Sequence, residues 1–551
     1  IAGAVTVQGG GILAPGNSPG TLTVGSLILN STSEVRFELG TTSDLVVVLG
    51  DLTLDGILNV TDLAGFGIGT YTLFQYGGNL SDNGLSFGTM PAGFVYALDL
   101  ALAGEVRLNV LSADQYWDGP NTTPTGSVTG GSGTWTGTTT NWTTASGSAN
   151  FAWSPSGTAI FSGSAGTVNV AETIRVADMV FETDGYVLAG GGQLAVSGTA
   201  LTVETQSGVS ATMGTAITGT GALIKTGADG RLVLTGSNIY TGGTTLASGT
   251  LQIGNGGVTG SIVGDLVNDG VLVFDRTNDW EFGGVISGSG SVVKNGAGAV
   301  LLSGANTFSG TTQLNAGTLR IGDDSALGTG TLAINGGTLG NDGNGGFPLI
   351  QNDIVANADF GFSVDGAGAG LEMEGRLALG TGTRTILFDG DGMVCFGGVI
   401  SGENLTLLSA SGTSDVQFCG IDSNTFSGTL RVGGGVQLLL NKDPGAAAVA
   451  GDLVVDALGV AELGGDGQLA ATSSVQVDGL LDLLFSTDVA INRLSGSGTV
   501  QGGMIGGTLT VQGGNFAGSI LEGAATQALA ARWCLRGRTG SREEQPSTRA
   551  C

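Results

Sequence analysis

Residues 225–254 read KTGADGRLVLTGSNIYTGGTTLASGTLQIG, and residues 294–322 read KNGAGAVLLSGANTFSGTTQLNAGTLRIG. The two segments are too similar to have arisen by chance. Repeated strand-turn units with no helix between them are typical of a solenoid, in which every repeat stacks on its neighbours. Shorter pieces also recur, with FGGVISG at 282–288 and 396–402 and NTFSGT at 306–311 and 424–429.

The same rhythm extends outward from these repeats through most of the chain. GDLTLDGILNV at 50–60 and GDLVNDGVLVFD at 264–275 each contain two short apolar runs around a turn dipeptide. Alternating apolar residues predict half-buried strands, and Gly, Asn and Asp are typical of corners. We therefore predict an all-β protein, a right-handed parallel β-helix in the form of a single elongated stalk. With about 20 residues per coil, it would extend on the order of 120 Å.

Composition limits the partners of this protein. Of the 551 residues 105 are Gly, 41% are hydrophobic, and the net charge is −28. The apolar content is too high for a disordered chain, and the glycines follow no strict three-residue period. Because phosphate backbones and anionic lipids would be repelled, we expect neither nucleic acid nor an anionic membrane surface as a partner.

The pattern divides the chain into four segments. We predict an N-terminal β-helix module at 1–113, a Trp-rich junction at 114–161, and a repeat-bearing β-helix at 162–523. The last segment, 524–551, has five arginines and no strand-turn rhythm. We expect this tail to be disordered and foreign to the fold.

The junction holds four of the six tryptophans, Trp117, Trp135, Trp142 and Trp153, among Thr, Ser and Gly. One interpretation makes them candidate surface aromatics that stack on carbohydrate. The other makes them a plug between two β-helix modules. We favour the plug, because large aromatic residues in long solenoids usually fill a cap.

Two cysteines of the repeat region are candidates for a crosslink. Cys395 and Cys419 would meet if a coil returns after about 24 residues. An alternative of equal weight is that both are small apolar fillers. No CxxC spacing is present in the sequence.

The repeats resemble the passenger-associated repeat of autotransporters, written K-x-G-x-G-x-L-x-L-x-G-x-N-x-Y-x-G-x-T. The second copy has Phe in place of Tyr, and the third has lost its lysine and its glycine lead-in. The matching positions are Lys225, Gly227, Gly236, Asn238, Tyr240 and Gly242 in the first copy, Lys294, Gly296, Gly304, Asn306, Phe308 and Gly310 in the second, and Asn424, Phe426 and Gly428 in the third.

This resemblance implies type V secretion: Sec export, a C-terminal outer-membrane β-barrel, and a passenger displayed outside a Gram-negative cell or released. We expect the sequence to be a passenger fragment that lacks both the signal peptide and the barrel, so that its contact with a membrane would need the missing barrel. The expected partners are molecules of a host or neighbouring cell surface, or other copies of the chain.

The chemistry of the side chains argues against an enzyme. With no histidine, Ser-His-Asp and Cys-His nucleophile systems and histidine zinc sites are impossible. The glycine-aspartate strings at 342–346 and 464–470 are not in the tandem arrays that bind calcium. We expect no catalytic, cofactor or metal residues. The carboxylates that a glycosidase would need mostly lie in DG or ND turns, which explain them: Asp269, Asp275, Asp279, Asp389 and Asp391.

The leading hypothesis is a structural and binding role, an acidic passenger stem for adhesion or self-association. Its alternatives are a carbohydrate-active β-helix enzyme and a scaffold that serves only secretion and folding. Two carboxylates that converge in a cleft beside an aromatic residue would favour the enzyme.

Overall fold

The computed structural model describes residues 3–16, 19–91, 94–366, 368–503 and 507–521, which form two compact units divided between Gly221 and Ala222. All regular elements of the described residues are β-strands. None of these residues forms a helix long and apolar enough to cross a membrane. The predicted tail, 524–551, lies outside the described residues.

The described residues of the first unit form 26 strands, most of them two to six residues long. They are β1 (Ala4–Val7), β2 (Ile12–Leu13), β3 (Thr21–Val24), β4 (Ser26–Leu29), β5 (Glu34–Leu39), β6 (Leu45–Val48), β7 (Leu52–Leu54), β8 (Ile57–Asp62), β9 (Gly69–Tyr76), β10 (Leu80–Asp82), β11 (Ser86–Phe87), β12 (Phe94–Asp99), β13 (Glu105–Ser112), β14 (Asp114–Trp117), β15 (Gly133–Trp135), β16 (Trp142–Thr143), β17 (Asn150–Phe151), β18 (Thr158–Phe161), β19 (Thr167–Val170), β20 (Thr173–Val176), β21 (Asp178–Phe181), β22 (Val187–Ala189), β23 (Gln193–Val196), β24 (Ala200–Thr205), β25 (Ser210–Met213) and β26 (Ala216–Thr218).

These strands pair mostly in parallel across successive coils. Three sheets run β1-β4-β7-β10, β11-β8-β5-β2 and β12-β13-β9-β6-β3, and they enclose a core that extends from Val7 to Val110. The last of these sheets changes direction, since β13 pairs antiparallel with both β9 and β12. Beyond residue 113 the sheets run β17-β16-β14-β18-β21-β24, β15-β19-β22-β25 and β20-β23-β26.

The second unit contains the predicted repeats, and the part of it that the structure describes forms 34 strands. They are β27 (Ala222–Thr226), β28 (Arg231–Leu234), β29 (Thr244–Leu246), β30 (Thr250–Gly257), β31 (Leu266–Asn268), β32 (Val271–Arg276), β33 (Trp280–Phe282), β34 (Ile286–Ser287), β35 (Ser291–Lys294), β36 (Ala299–Leu302), β37 (Thr312–Leu314), β38 (Thr318–Ile321), β39 (Leu332–Ile334), β40 (Thr338–Asn341), β41 (Leu349–Ile350), β42 (Ile354–Ala356), β43 (Phe360–Ser363), β44 (Gly370–Met373), β45 (Leu377–Ala378), β46 (Thr383–Asp389), β47 (Met393–Phe396), β48 (Ile400–Ser401), β49 (Asn404–Ser409), β50 (Ser414–Phe418), β51 (Thr429–Val432), β52 (Val436–Leu440), β53 (Asp452–Val455), β54 (Val460–Leu463), β55 (Ser474–Val477), β56 (Leu480–Asp482), β57 (Asp488–Gly496), β58 (Thr499–Gln501), β59 (Thr508–Phe516) and β60 (Ser519–Leu521).

Four parallel sheets form the second unit. We number them in chain order: the first is β27-β29-β31-β34, the second β28-β30-β32-β35-β37-β39-β42-β45-β48, the third β33-β36-β38-β40-β43-β46-β49-β51-β53-β55-β57-β59, and the fourth β41-β44-β47-β50-β52-β54-β56-β58-β60. Because strands next to each other in a sheet are two or three strands apart in sequence, the chain coils from sheet to sheet. The predicted all-β parallel β-helix is confirmed in this architecture.

The register explains why alternating apolar residues are enough to build the core. Leu251 pairs with Leu272, and Leu272 pairs with Val292, so equivalent residues return after 21 and then 20 residues. All three side chains are buried, whereas Thr250 and Val271 next to them point outward and are partly exposed. Burial of an apolar side chain of this size contributes about 1.5–3 kcal/mol, but only while the neighbouring coils cover it.

A disulfide joins two adjacent coils of the fourth sheet. Cys395 on β47 is bonded to Cys419, the residue after β50, and the two are 24 residues apart in sequence. The crosslink considered from the coil length is therefore confirmed. Glu372 also approaches the two sulfur atoms within 4.8 Å, but the bond between them leaves neither sulfur available as a thiolate ligand.

Corners with very little space explain many of the glycines. A Cβ at Gly310 would lie 2.3 Å from the carbonyl oxygen of Gly290, and a Cβ at Gly290 would lie 2.3 Å from that of Gly270. Real Cβ atoms do not approach oxygen so closely, so this column of corners requires glycine for space rather than for an unusual φ.

We expect Gly310→Ala to destabilise the second unit by about 1–3 kcal/mol, the usual cost of overpacking a filled interior. The matched control is Gly257→Ala, because a Cβ there meets no atom within 4 Å. Thermal and denaturant unfolding of the full chain measure both changes. Equal losses of stability in the two variants would show that the corner contact does not limit the coil.

Candidate functional site

The tryptophans of residues 114–161 lie in the core. Trp117, Trp135 and Trp142 have no exposed surface and Trp153 is 5% exposed. Their rings form a cluster with centroids 4.8–5.3 Å apart in four pairs. The less favoured interpretation as surface aromatics is therefore wrong, because no ring face is free to stack on carbohydrate. Their interior position agrees with the other interpretation, in which they fill the core.

The lysines of the repeat are buried inside the coil. Lys225 has no exposed surface and Lys294 is 1% exposed. The Lys294 ammonium donates hydrogen bonds to the carbonyl oxygens of Gly296 and Ala316, and that of Lys225 donates to Thr226. Desolvation lowers the pKa of Lys294 to about 8. The lysine therefore satisfies main-chain carbonyls at the corner that follows its own strand and at the corresponding corner of the next coil.

The sequence analysis missed a third lysine of this kind. Lys442 is 3% exposed, and its ammonium donates to the carbonyl oxygen of Gly398 at 3.1 Å. Desolvation also lowers its pKa to about 8. It belongs to none of the three repeat copies, so no motif identified it. The only signal was a single cation in a region of few cations.

The asparagine of the repeat connects three coils. Oδ1 of Asn306 accepts the main-chain N–H of Ile286 at 2.7 Å, and Nδ2 donates to the carbonyl oxygen of Ala326 at 2.6 Å. Asn424 makes the same two bonds, to Ile400 at 2.9 Å and Ala448 at 2.8 Å. Each amide thus links the coil before it to the coil after it.

The first copy varies this arrangement. Nδ2 of Asn238 donates to the carbonyl oxygen of Ser261 at 2.7 Å, and the hydroxyl of Ser261 accepts the main-chain N–H of Asn238. All three asparagines are at most 3% exposed. A stacked row of amides occurs at other positions, on exposed corners: Asn295, Asn315, Asn335 and Asn357.

The aromatic residue two positions later fills the core. Tyr240, Phe308 and Phe426 have no exposed surface. The Tyr240 hydroxyl is bonded to Oγ1 of Thr244 at 2.6 Å, and burial raises its pKa to about 12. Phe has no hydroxyl to satisfy, so the change from Tyr to Phe in the later copies removes the need for a polar partner.

The repeat glycines occupy different environments. A Cβ at Gly296 would lie 2.1 Å from the Arg276 carbonyl oxygen, one at Gly304 would lie 2.4 Å from that of Gly284, and one at Gly428 would lie 2.2 Å from Oδ1 of Asn404. In the first copy, Gly227 has a φ of +94°, Gly236 is buried and Gly242 is exposed.

Consecutive copies of the repeat begin in different sheets, so they lie on different sides of the coil. Lys225 lies on β27 of the first sheet, and three coils later β34 is still in that sheet. Lys294 lies on the next strand, β35, which belongs to the second sheet. Likewise, Asn306 accepts its hydrogen bond from the first sheet and Asn424 from the second. The repeat therefore specifies a corner and its two neighbouring strands, and it functions on any side of the coil.

Most of the turn aspartates support neighbouring coils. Asp269 accepts the N–H and the hydroxyl of Ser289, and these bonds lower its pKa. Asp391 accepts the main-chain N–H of Gly366 at 2.9 Å, and Asp389 accepts the hydroxyl of Ser411 at 2.7 Å. Asp275 accepts a hydrogen bond from Gln252 at 3.3 Å. These bonds agree with the interpretation of the carboxylates as turn residues.

Asp279 accepts the main-chain N–H of Ala299 on the next coil, and it also lines an outward-facing cavity of about 250 Å³. Asp279 and Glu281 flank Trp280, which is partly exposed. The sequence analysis missed Trp280, although the string NDWEF was a signal in a region of few aromatics. The other lining residues are Ala299, Leu301 and Arg320.

A buried arginine supports the ring of Trp280. The Arg276 guanidinium lies over the indole, 5.5 Å from its centroid, and it donates hydrogen bonds to the carbonyl oxygens of Val258 and Gly260. A side-chain oxygen of Asn278 accepts two further bonds from the same guanidinium. The cation–π contact and these bonds hold one face of the indole in a fixed position.

A family model described as the passenger-associated-transport-repeat matches residues 223–253 and 292–321, and it confirms the first two copies predicted from the sequence. The third copy, from Asn424, lies outside both ranges and stays a prediction. The adhesin BmaC autotransporter of Brucella suis biovar 1 (strain 1330) is 30% identical over 346 residues. That match covers 60% of this chain and 8% of the relative's own length. No solved structure matches the chain.

We expect Asn306→Ala to destabilise the second unit by about 2–4 kcal/mol, because each buried main-chain group left unpaired costs about 1–3 kcal/mol. The control is Asn335→Ala, which removes an exposed amide and should cost under about 0.5 kcal/mol. Denaturant unfolding measures both variants. A loss of stability no larger for Asn306→Ala than for Asn335→Ala would contradict the linking role of the repeat asparagine.

Between pH 8 and pH 10 we expect the free energy of unfolding to rise. In this window Lys294 and Lys442 have lost their protons in the folded chain, with pKa values of about 8, while they keep them in the unfolded chain, where the ordinary value is 10.5. Each lysine adds a slope of up to about 1.4 kcal/mol per pH unit. Above pH 10, the raised pKa values of Tyr186 and Tyr240, about 12, reverse the trend.

The measurement is denaturant unfolding of the full chain at several values between pH 8 and pH 10, compared with Lys294→Met. The methionine fills similar space and does not titrate, so the variant should show a shallower slope. Identical slopes in the two proteins would mean that Lys294 keeps its ordinary pKa in the folded chain.

Proposed function

We propose that this chain, an autotransporter passenger segment by its two transport repeats and its relative, is the adhesive part of an exported stem. The same matches support a location at the cell surface or outside the cell of a Gram-negative bacterium. The observation that carries the proposal is the similarity to an adhesin over 60% of the chain. The proposed role is structural and binding, without catalysis.

The coil suits adhesion because each strand presents every second residue to the outside. Outward positions of adjacent coils form columns, such as Glu281, Leu301 and Arg320 on the third sheet. A long series of such columns offers many weak contacts that act together, so a modest affinity at each of them adds up to firm attachment.

Charge favours a different molecule over a second copy as the partner. With a net charge of −28, two copies repel each other at distances within the Debye length, about 8 Å at physiological salt. Self-association therefore needs local contacts strong enough to overcome this repulsion. We propose it as the lesser role, and it should strengthen as salt is added.

A carbohydrate-active enzyme is the second candidate, favoured by the pair of carboxylates beside Trp280. Two acidic residues flanking a glycosidic bond are what a glycosidase requires. However, Oδ1 of Asp279 accepts the main-chain N–H of Ala299, and Oε1 of Glu281 accepts the hydroxyl of Ser303. Each carboxylate therefore supports the next coil, as the turn aspartates do, and this favours the structural interpretation over the enzyme.

The test uses beads coated with the full chain and applied to cultured epithelial cells at physiological salt. We expect at least fivefold more attached beads than with heat-denatured chain, and we expect free folded chain to compete. Equal attachment of the two kinds of bead would contradict the adhesive role. Sedimentation of the free chain at low and high salt measures self-association separately.

A further inference from the structure

The disulfide of the fourth sheet has two halves that differ in exposure. Val394 and Phe396 are buried in the core, so Cys395 between them points to the outer face of the strand. Cys395 is nevertheless only 5% exposed, whereas Cys419 is partly exposed. One half of the bond is therefore covered, and the other half is open to solvent.

The neighbouring coils provide the cover of Cys395. In the register of the fourth sheet, Glu372 pairs with Cys395 on one side and Gln417 pairs with it on the other. Adjacent strands are about 4.8 Å apart, so these two side chains flank the cysteine on the outer face. A molecule that approached Cys395 from solvent would have to displace one of them, whereas Cys419 can be approached directly.

A carboxylate stands beside the bond. An oxygen of Glu372 and the two sulfur atoms all lie within 4.8 Å of one another. A negative charge at this distance disfavours a second one. Thiol–disulfide exchange brings one thiolate to the bond and releases another. Glu372 therefore opposes both the arrival of an anionic thiol and the departure of the thiolate.

The other charged groups nearby reinforce this effect on the outer face. Glu374 follows Glu372 at the next outward position, and Asp415 lies on the strand that pairs with β47. The cation of this corner is Lys442, whose ammonium donates to the carbonyl oxygen of Gly398 at 3.1 Å. Because Lys442 is only 3% exposed, it contributes little attraction for a thiol in solvent.

We propose that Cys419 is a thiol-modification site, at which small thiols form a mixed disulfide, and that Cys395 is the resolving thiol that closes the bond again. The attacking thiolate forms an S–S bond with Cys419 while the bond between the two cysteines breaks. Cys395 leaves as a thiolate and takes a proton from water. Closure is the reverse: deprotonated Cys395 attacks Cys419, and the small thiol leaves as its thiolate.

Full reduction requires a second molecule of thiol. It attacks the mixed disulfide and departs with the first as their oxidised dimer, and the two cysteines are left as thiols. Closure competes with this step, because Cys395 is held beside Cys419 and acts intramolecularly at a high effective concentration. The crosslink between coils is therefore able to persist outside the cell in the presence of anionic thiols, and this holds whether or not the chain is an adhesin.

The first experiment maps the attacked sulfur in the full chain. Cys534→Ser and Cys551→Ser are introduced into every protein, so that only the crosslinked pair reports. The chain is treated with cysteamine, quenched with acid and analysed by peptide mass spectrometry. We expect at least tenfold more adduct on Cys419 than on Cys395. A majority of adduct on Cys395, or no adduct on either cysteine, would overturn the proposal.

The two single variants give an independent measure of access. In Cys395→Ser, the thiol of Cys419 should react with cystamine, the disulfide of cysteamine. In Cys419→Ser, the remaining thiol should react at least tenfold more slowly, and circular dichroism checks that both variants are folded. Equal rates in two folded variants would contradict the difference in access, and the mapping of the intact bond decides the matter if either variant fails to fold.

The second experiment tests the charge of Glu372. Rates of reduction per thiolate are measured for cationic cysteamine and anionic mercaptoethanesulfonate at about 0.1 M salt, where the Debye length is about 10 Å. Cysteamine should react at least fivefold faster, and Glu372→Gln should lower this ratio at least threefold. The ratio should stay within about 1.5-fold in the control Glu281→Gln, which changes the net charge equally at β33, five strands before β46 in the third sheet. An equal ratio in Glu372→Gln and the wild type would overturn the role of the carboxylate.

Discussion

The coil depends on hydrogen bonds between equivalent residues of neighbouring turns. Main-chain bonds along the parallel strands are strong only while the turns remain in register, and the corners threaten that register because the chain changes direction there. The repeat places its polar side chains at these corners. Asn306 connects its own coil to the one before and the one after, and Lys294 satisfies carbonyl oxygens that no strand pairs. Two side chains that are usually exposed are thus buried to hold the turns together.

The same constraint explains how a repeat is used on different sides of the coil. The interactions of Asn306 involve only the coils directly above and below it, and nothing in them depends on the side of the cross-section. Asn424 therefore repeats those bonds against a different sheet. Copies on different sides of the coil therefore remain functional, because each copy needs only the coils directly next to it. A solenoid stabilised by nearest-neighbour contacts permits this freedom, whereas a globular core would fix each residue to one place.

The sequence predicted the strands and the coil, and it offered the crosslink as one of two alternatives, because these depend on local alternation and on a constant return distance. Cys395 and Cys419 are an example, since their separation matches the length of one coil. The side-chain environments were harder to predict. Trp117 and Trp142 stand among small polar residues, yet they are buried, because Thr, Ser and Gly can line corners around a large ring. Trp280 was missed because its exposure results from the way Arg276 and the first strand of the third sheet arrange its surroundings, which no local pattern encodes.

The outer surface is the part of the coil that remains free to vary. The coil requires apolar residues at inward positions and small or amide residues at corners. It makes no such demand on outward positions, so an outward residue can change without loss of the coil. A binding site then needs only an outward column that differs from the others. Glu281, Leu301 and Arg320 form such a column, whereas Trp280 packs on Phe282 on the opposite face of β33, a strand with no earlier strand beneath it in its sheet. The beginning of a sheet exposes a ring that a further strand would cover, so the ends of sheets are where a solenoid of this kind can form a cavity without giving up its core.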